Sequence, residues 1–209
     1  MHHGSVFKMV VATAALENNT ITTKTTVNDT GIYPRGHNPA CWIYTSRHYG
    51  HGYLNVTEAI KKSCNYFFYE LGYKMGIDPV IKYAKSYGLG IKTGIELSGE
   101  SKGIVDLKDY CKETTGQEWQ FGDTLSAVIG QSYNSYTPIQ IARYTSMLAN
   151  GGKSVDVTLI KSIIDSDGNK VPKDENEKKI NEKLEILNNK KQELNELDVH
   201  TFTIEKVMA

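Results

Sequence analysis

Apolar residues near the start of the chain recur at helical spacing. The pattern predicts a helix over residues 5 to about 17, because its apolar positions fall three and four residues apart. Those positions are Phe7, Val10, Val11, Ala14 and Ala15. The polar pair at positions 18 and 19 ends the pattern. Since the segment is apolar on most sides, we expect this helix to be buried in the centre of the fold.

No such periodicity is found between residues 20 and 53. This stretch is rich in threonine, glycine, proline, asparagine and aromatic residues, a composition typical of turns and loops. We therefore expect an irregular segment with at most short strands. A loop of this length inside a compact domain is usually functional or is held in place by another group.

Helical patterns return after residue 56. A second helix is predicted from Thr57, which serves as its cap, to about Met75. A third helix is predicted to begin at Asp78-Pro79, where proline takes the first helical position, and to close near Gly88.

The later part of the chain contains one clear helix and two less regular segments. Thr137-Pro138 repeats the start signal and residues 150–152 give a stop, so a helix is predicted between them. Residues 155–164 alternate enough to predict a strand, turned by the polar residues 165–168. Residues 173–198 are highly charged, with leucine and isoleucine at three-and-four spacing, which predicts an amphipathic helix or helical hairpin. We interpret that segment as a solvated insertion, and the alternative is that it binds a partner.

Length and charge narrow the class of protein. At 209 residues with 39% hydrophobic content, the chain suffices for one sizeable core rather than two. Twenty-four basic residues balance twenty-four acidic ones, so no net field attracts nucleic acid, and no such partner is expected. No long apolar run and no signal-peptide core occur. We treat residues 1–3 as a tag or truncation remnant and residues 4–209 as one partial domain with the charged insertion at about 173–198.

Ser5 and Lys8 form the first motif with candidate chemistry. They lie three residues apart at the predicted start of the first helix, so both side chains face the same way. A serine hydroxyl becomes nucleophilic when a neighbour accepts its proton, and a buried lysine with a lowered pKa is such a neighbour. The helix N-terminus adds partial positive charge where an oxyanion would form. The pattern is weak by itself, because Ser-x-x-Lys often arises by accident.

The second motif, Ser63-Cys64-Asn65, falls inside the second predicted helix. Serine and asparagine are poor helix formers, so their presence in mid-helix needs a reason. One interpretation is a functional site. The other is a helix that begins later than Thr57.

Together these motifs resemble the penicillin-binding transpeptidases, particularly those of class B. Five blocks covering roughly residues 4 to 161 carry the resemblance, in the family's order and at plausible spacing. They are GSVFK at residues 4–8, GHGYLNV at 50–56 leading into SCNYF at 63–67, TGIELSGE at 93–100, IGQSYNSYTP at 129–138 and LANGG at 148–152. The resemblance implies the α/β (α+β) fold of penicillin-binding transpeptidases and serine β-lactamases, here truncated to mostly its helical region plus part of the sheet.

The resemblance also implies a role for each motif residue. Ser5 would be the acylated nucleophile and Lys8 its proton acceptor. Ser63 and Asn65 would transfer protons and hold the acyl-donor peptide, and Gln131 would form part of the wall of the site. The implied enzyme is a serine D,D-transpeptidase that cross-links peptidoglycan stem peptides through an acyl-enzyme, releases D-alanine and is inhibited by β-lactams.

A third family signature, Lys-Thr-Gly on a strand that fixes the substrate carboxylate, is not identified. Lys92-Thr93-Gly94 matches its letters, but its continuation resembles an earlier landmark, and no Lys-Thr-Gly follows Gly152. His3 stands where the family has a proline. We therefore expect that the catalytic strand lies beyond Ala209, that strands before Gly4 are missing, and that the isolated chain is impaired in catalysis.

The cysteines suggest a metal site beside the second motif. Cys41, Cys64 and Cys111 are too few and too widely spaced for a disulfide framework, so at least one is free or bound to a metal. Thiolates of Cys41 and Cys64 with the imidazole of His51 suit zinc. Some members of the family carry such a zinc, completed by an aspartate, and the resemblance therefore adds Asp29 and implies one structural zinc in a tetrahedral site.

Other interpretations of these residues stay open. A cysteine on the apolar side of a helix, such as Cys64, often serves only as a small buried apolar residue. His51 lies between glycines and is also compatible with a turn. His37 or His48 are competing ligands, and Cys111 is expected to be uninvolved.

The family resemblance finally implies a location and partners. The parent protein would be anchored at the extracytoplasmic face of the bacterial cell membrane and would work with the cell-wall synthesis machinery. Its ligands would be peptidoglycan stem peptides and β-lactam antibiotics such as penicillin. One alternative is a β-lactam-sensing or β-lactam-hydrolysing relative, although no residue is identified as the base for deacylation. The other is a non-catalytic truncated module that binds partners through residues 173–198.

Overall fold

The computed structural model describes residues 4–171, which form mainly helices and one small antiparallel sheet. A 3-10 turn, Gly4–Phe7, opens the described chain. The helices are α1 (Lys8–Glu17), α2 (Trp42–Arg47), α3 (Val56–Lys61), α4 (Asn65–Met75), α5 (Asp78–Ser86), α6 (Leu107–Thr115), α7 (Phe121–Ala127) and α8 (Pro138–Ala149). The strands are β1 (Val27–Asp29) and β2 (Gly52–Leu54).

Helix α1 lies at the centre of the core. Its residues Val10, Val11 and Ala14 are fully buried, and the helix packs against α4 and α5. The helix predicted over residues 5–17 is confirmed, with its first turn in the tighter 3-10 form. A helix that is apolar all round is stable only when other elements surround it, and α1 meets that condition.

The second predicted helix is divided into two, α3 and α4. Asn55 caps α3 and Glu58 completes a capping box, since each side chain accepts a hydrogen bond from the other residue's backbone N–H. Ser63 then adopts a φ of 50°, a left-handed conformation that ends the helical path. The Cys64 side chain caps α4 by accepting from a backbone N–H. The prediction of one helix capped by Thr57 is therefore wrong.

Residues 20–53 are largely irregular, as predicted, and they hold only short elements. Strand β1 pairs with β2 in antiparallel register, with Asp29 opposite Gly52. The short helix α2 was not predicted, because six residues are too few for a periodic pattern.

The strand predicted over residues 155–164 is wrong. In the described chain this segment has no strand, and one isolated bridge joins Ile164 to Lys170 across the predicted turn. A strand exists only when a neighbouring strand pairs with its backbone, and alternation in the sequence does not supply that neighbour.

Start and stop signals located two helices accurately. Helix α8 begins at Pro138, and the Thr137 hydroxyl accepts from the backbone N–H of Gln140. Helix α5 carries proline in its first turn, as the sequence predicts. Helices α6 and α7 were not predicted, because their apolar positions are few.

The helix predicted over residues 173–198 lies outside residues 4–171. None of the helices within residues 4–171 has the length and the apolar character that a membrane crossing requires.

Candidate active site and metal centre

Ser5 and Lys8 meet at the start of α1. Ser5 belongs to the 3-10 turn and Lys8 is the first residue of the helix. The Lys8 Nζ atom lies 3.2 Å from Ser5 Oγ. The spacing of three residues therefore brings the hydroxyl and the amine together, as the sequence indicates.

Ser63 and Asn65 complete a hydrogen-bonded group around the Lys8 amine. Lys8 Nζ donates to Asn65 Oδ1 at 2.6 Å, to the Ser63 carbonyl oxygen at 2.8 Å and to Ser63 Oγ at 2.9 Å. Ser63 Oγ in turn donates to Ser5 Oγ at 2.7 Å. The arrangement links Ser5 to Lys8 both directly and through the Ser63 hydroxyl, so a proton has two short paths between them.

The left-handed turn at Ser63 explains how one short segment reaches Lys8 twice. Helix α3 ends before it and α4 begins after it, so the Ser63 side chain and carbonyl both face the amine. A serine in this conformation costs about 1–2 kcal/mol, because Cβ approaches the following carbonyl. Local strain of this kind is concentrated at functional sites.

Burial changes the acid–base behaviour of Lys8. The side chain is only 2% exposed, and desolvation lowers the pKa of Lys8 to about 8, although the Cys41 and Cys64 thiols nearby act in the opposite direction. A substantial fraction of Lys8 is then neutral near physiological pH. A neutral amine beside a serine hydroxyl is a proton acceptor.

Three contacts from the chain after α7 hold the 3-10 turn Gly4–Phe7 from its other side. We call this segment the nucleophile turn, after its candidate nucleophile Ser5. The Gly130 carbonyl accepts a hydrogen bond from Gly4 N at 3.2 Å. The buried Tyr144 hydroxyl donates to the Val6 carbonyl at 3.1 Å. Tyr136 stacks on the Phe7 ring with centroids 5.8 Å apart. Sequence reasoning missed the role of Tyr144, because a tyrosine in a periodic helix pattern resembles any other core residue.

We expect Gly130→Ala to destabilise this contact. Gly130 has a φ of 79°, and a Cβ there would lie 2.0 Å from the Gly4 carbonyl oxygen, so the nucleophile turn must shift. Overpacking of this kind costs about 1–3 kcal/mol beyond the backbone penalty. Thermal unfolding would show a lower melting temperature, by about 2–4 °C for each kcal/mol.

Gly116→Ala is the matched control for that substitution. Gly116 has a φ of 70° with no heavy atom within 4 Å of its Cβ position, so it carries the backbone penalty alone. Equal melting temperatures of the two variants would contradict the close packing of Gly130 on the nucleophile turn.

Gln131 lies next to this contact. It is exposed, and its backbone N–H donates to the Ser126 carbonyl at 3.0 Å. Its neighbour Gly130 contacts the segment that carries Ser5. Gln131 is therefore brought to the same side of the fold as the serine–lysine group.

Four predicted metal ligands come together beside the active-site group. Asp29 Oδ2 lies 2.7 Å from His51 Nδ1 and 3.2 Å from Cys64 Sγ. Cys41 Sγ lies 3.6 Å from the same His51 nitrogen and 3.9 Å from Cys64 Sγ. All four ligand atoms lie within 4.8 Å of one another. Within residues 4–171 this group includes neither His37 nor His48.

Local structure explains the convergence. Asp29 ends β1 and is paired with Gly52, so His51 is adjacent to it across the ladder. A Cβ on Gly50 would lie 2.0 Å from the Asp29 carbonyl oxygen, so only glycine permits this approach. Cys41 and Cys64 precede α2 and α4 in extended backbone.

The donor set fits zinc. With Zn–S of about 2.3 Å and Zn–N or Zn–O of about 2.0–2.2 Å, a tetrahedral site separates two thiolates by about 3.8 Å and a nitrogen and an oxygen by about 3.4 Å. The sulfur separation of 3.9 Å already agrees with this geometry. The contact of 2.7 Å between His51 and Asp29 would open by about 0.7 Å.

The electrostatics of the group also favour a cation. Burial alone would raise the pKa of Asp29, but hydrogen bonds from His51 and Gly31 hold it below its ordinary value, so the carboxyl is ionised. The contact between the two thiols lowers the pKa of Cys41, whereas that contact and burial raise the pKa of Cys64, so in the metal-free group Cys41 is the thiol that ionises first. Cys41 and Cys64 are fully buried and Asp29 is 2% exposed. Buried anionic ligands of this kind are stabilised by a metal ion.

The remaining sequence candidates lie elsewhere. Cys111 is buried on α6 and is not in the metal-ligand group. Lys92-Thr93-Gly94 lie in a loop rather than a strand, where the Glu100 carboxylate accepts from Thr93 and from Gly94 N. That local role is consistent with rejecting this triplet as the third signature.

Comparison with known proteins gives consistent matches. Residues 1–208 match the family described as the penicillin binding protein transpeptidase domain. The chain is 35% identical over 162 residues to the peptidoglycan D,D-transpeptidase MrdA of Haemophilus influenzae, which covers 76% of this chain and 24% of that protein. The chain thus spans about a quarter of the length of the MrdA relatives that it matches.

Solved structures give the same picture. PBP2 of Pseudomonas aeruginosa, solved in complex with WCK 5153, is 32% identical with a TM-score of 0.71, covering 82% of this chain and 39% of that one. PBP2 of Helicobacter pylori, solved in complex with MreC, is 31% identical with a TM-score of 0.69, covering 88% of this chain and 33% of that one.

Proposed function

Because this chain belongs to the penicillin-binding protein transpeptidase family, we propose that it supplies the nucleophile and the proton acceptor of a serine D,D-transpeptidase of peptidoglycan synthesis. One observation carries the proposal. The buried Lys8 amine is hydrogen-bonded to Ser5, Ser63 and Asn65 at once, and Ser5 is exposed to solvent. This is the arrangement that an acyl-transfer nucleophile requires.

Acylation follows from these contacts. Ser5 Oγ attacks the carbonyl carbon of the bond that precedes the terminal D-alanine of a stem peptide, and its proton passes to Lys8 directly or through Ser63. The C–N bond breaks, and D-alanine leaves after taking a proton back from the same group. The product is an ester between Ser5 and the shortened peptide. An amine of a second stem peptide then attacks that ester, so that an amide bond forms and the ester C–O bond breaks. A proton from the amine restores the serine hydroxyl.

Asn65 and Gln131 act on binding rather than on the bonds that break. The Asn65 carbonyl oxygen is held by Lys8, and the amide N–H₂, which also contacts the Tyr69 hydroxyl, is the group that would orient the acyl-donor peptide. Gln131 is exposed beside Gly130 and would line the wall of the site.

We further propose that Asp29, Cys41, His51 and Cys64 hold one structural zinc ion. When bound, the ion would supply a rigid cross-link rather than reaction chemistry, because protein side chains provide all four ligands. The ligands join the irregular loop of residues 20–53 to the start of α4. Since Ser63 and Asn65 flank Cys64, the same cross-link would fix both active-site residues.

The partners and location follow from the family. We propose that the full protein works with the cell-wall synthesis machinery at the outer face of the bacterial cytoplasmic membrane, since a relative was solved in complex with MreC. Stem peptides and β-lactams are its proposed ligands.

No Lys-Thr-Gly follows Gly152 in these residues, so we expect this chain alone to be acylated slowly.

The pH dependence of penicillin acylation tests the role of Lys8. The neutral amine accepts the proton, and the lowered pKa of Lys8 is about 8, so the acylation rate should rise with pH up to about 8 and level off above it. In Lys8→Met we expect the rate to fall about 100- to 10,000-fold and the inflection near pH 8 to disappear. Stopped-flow or gel measurements with a fluorescent penicillin on the full-length protein give both values.

Two outcomes of this experiment would contradict the proposal. An unchanged inflection in Lys8→Met would assign the titration to another group. Sustained turnover of a chromogenic β-lactam would indicate a hydrolysing relative instead of a transpeptidase, because the ester that a β-lactam forms with a transpeptidase is hydrolysed only slowly.

A further inference from the structure

Two of the three cysteines form a close pair. Cys41 Sγ and Cys64 Sγ are 3.9 Å apart, and both residues are fully buried. The third, Cys111, lies on α6, and its sulfur contacts the Tyr133 hydroxyl at 3.7 Å. All three are free thiols in this structure. Each cysteine of the pair therefore lies beside another thiol, whereas Cys111 contacts a tyrosine hydroxyl.

The gap between the two sulfurs is short enough to close by side-chain movement. A disulfide bond is about 2.05 Å long, so the sulfurs must approach by about 1.9 Å. Backbone hydrogen bonds hold both residues, with Cys41 N donating to Gly31 O at 2.7 Å and Cys64 N donating to Ala59 O at 2.9 Å. Rotation about χ1 moves each sulfur without breaking these bonds.

We propose that Cys41 and Cys64 are a redox modification site, at which a small hydroperoxide forms an intrachain disulfide when no metal ion occupies the group. Disulfide formation rests on the positions of the two sulfurs alone. Protection by metal is the part that depends on the proposed zinc site.

Hydrogen peroxide is the oxidant in this reaction. One thiol releases its proton, the thiolate attacks a peroxide oxygen and the O–O bond breaks. The leaving hydroxide takes up that proton, so a sulfenic acid and one water form. The second thiol attacks that sulfur, the S–S bond forms, and a second water leaves. The two cysteines lose two protons and two electrons in total, and hydrogen peroxide is reduced to two waters. Hydrogen peroxide is small enough to reach a group in which the His51 side chain is 7% exposed.

The disulfide would alter the site that Cys64 adjoins. At present Cys64 Sγ accepts a hydrogen bond from Phe67 N at 3.4 Å and lies 3.2 Å from Asp29 Oδ2. Turning the sulfur toward Cys41 removes both contacts and leaves the first turn of α4 without its cap. Asn65 is the first residue of that helix, so oxidation is expected to slow acylation of Ser5.

The test compares this chain in metal-free and zinc-loaded forms. After treatment with a chelator and then with hydrogen peroxide, remaining thiols are alkylated under denaturing conditions and the peptides are analysed by mass spectrometry. We expect a peptide pair cross-linked between Cys41 and Cys64, lighter by two hydrogens, with Cys111 alkylated. Zinc at a hundred times its Kd leaves about one chain in a hundred metal-free, so the rate of disulfide formation should fall about a hundredfold.

Substituted chains and the zinc-loaded form distinguish disulfide formation at Cys41 and Cys64 from protection of the pair by zinc. Cys111→Ser should form the same disulfide, and Cys64→Ala should form none. Absence of the cross-link in the unsubstituted metal-free chain after peroxide treatment, with both thiols still reduced or with Cys41 oxidised to the sulfinic acid, would overturn the redox site. Equal disulfide formation with and without zinc would instead overturn metal protection and leave the redox site standing. Circular dichroism of each variant establishes that it is folded.

Discussion

Ser5→Ala is expected to abolish covalent labelling of the full-length protein by penicillin. Ser5 Oγ is the atom that both Lys8 Nζ, at 3.2 Å, and Ser63 Oγ, at 2.7 Å, approach. Without it no acyl bond can form, and loss of a serine nucleophile lowers the rate on the order of a millionfold in serine proteases. Intact-protein mass spectrometry after incubation with penicillin should show one adduct in the natural protein and none in the variant.

The comparison needs a serine outside the site. Ser86 is exposed on α5, and its hydroxyl donates only to the Lys82 carbonyl within the same helix, so Ser86→Ala should be labelled as fast as the natural protein. Peptide mapping then assigns the adduct. An adduct that persists in Ser5→Ala would require another nucleophile, and an absent adduct in the folded natural protein would leave the family's fold without its chemistry.

Cys41→Ser is expected to remove zinc binding and the stability that depends on it. Serine keeps the size of the side chain but replaces a thiolate with a hydroxyl, which is a poor zinc ligand. For the natural chain, zinc at a hundred times its Kd should stabilise the fold by about 2.7 kcal/mol, raising the melting temperature by about 5–11 °C. The variant should show neither bound zinc by elemental analysis nor a shift in melting temperature when zinc is added.

Cys111→Ser is the matched control for this loss. Cys111 is as deeply buried as the ligands but lies outside the group of four, so its variant should keep one zinc per chain and the full shift. Retention of zinc by Cys41→Ser, or its loss from Cys111→Ser, would contradict the proposed ligand set. The same measurement on His37→Ala and His48→Ala distinguishes the competing histidines.

The parts of the fold that the sequence predicts well are those with strong local signals. Helix α8 has a capping threonine and a proline at one end and glycines at the other, so its limits do not depend on the rest of the chain. Helix α1 is predicted from the helical spacing of its apolar residues. Its burial is predicted because a helix that is apolar on most sides is stable only when other elements cover it.

The errors arise where the outcome depends on distant partners. Residues 155–164 alternate as a strand does, but in the described chain no strand pairs with them. The break at Ser63 could not be predicted from helix periodicity, because the apolar spacing continues through it. Its hydrogen bonds are made with Lys8, 55 residues away in sequence.

The candidate site was predicted in a different way. Donor chemistry suggests Cys41, His51 and Cys64 as ligands, and the resemblance to a family adds Asp29. No local pattern indicates that these four residues meet. Tyr144 had no such signal, because its contact with the Val6 carbonyl becomes visible only in three dimensions.

Residues 63–65 serve two centres with three consecutive side chains. Ser63 and Asn65 face Lys8, while Cys64 between them faces Asp29 and Cys41. Under the proposed function, a substitution at Ser63 or Asn65 that slows reaction with a β-lactam would also disturb the proposed zinc ligand between them. Few substitutions at residues 63–65 are therefore expected to give resistance without loss of function. A saturation library over these three positions should recover few variants that remain both folded and functional.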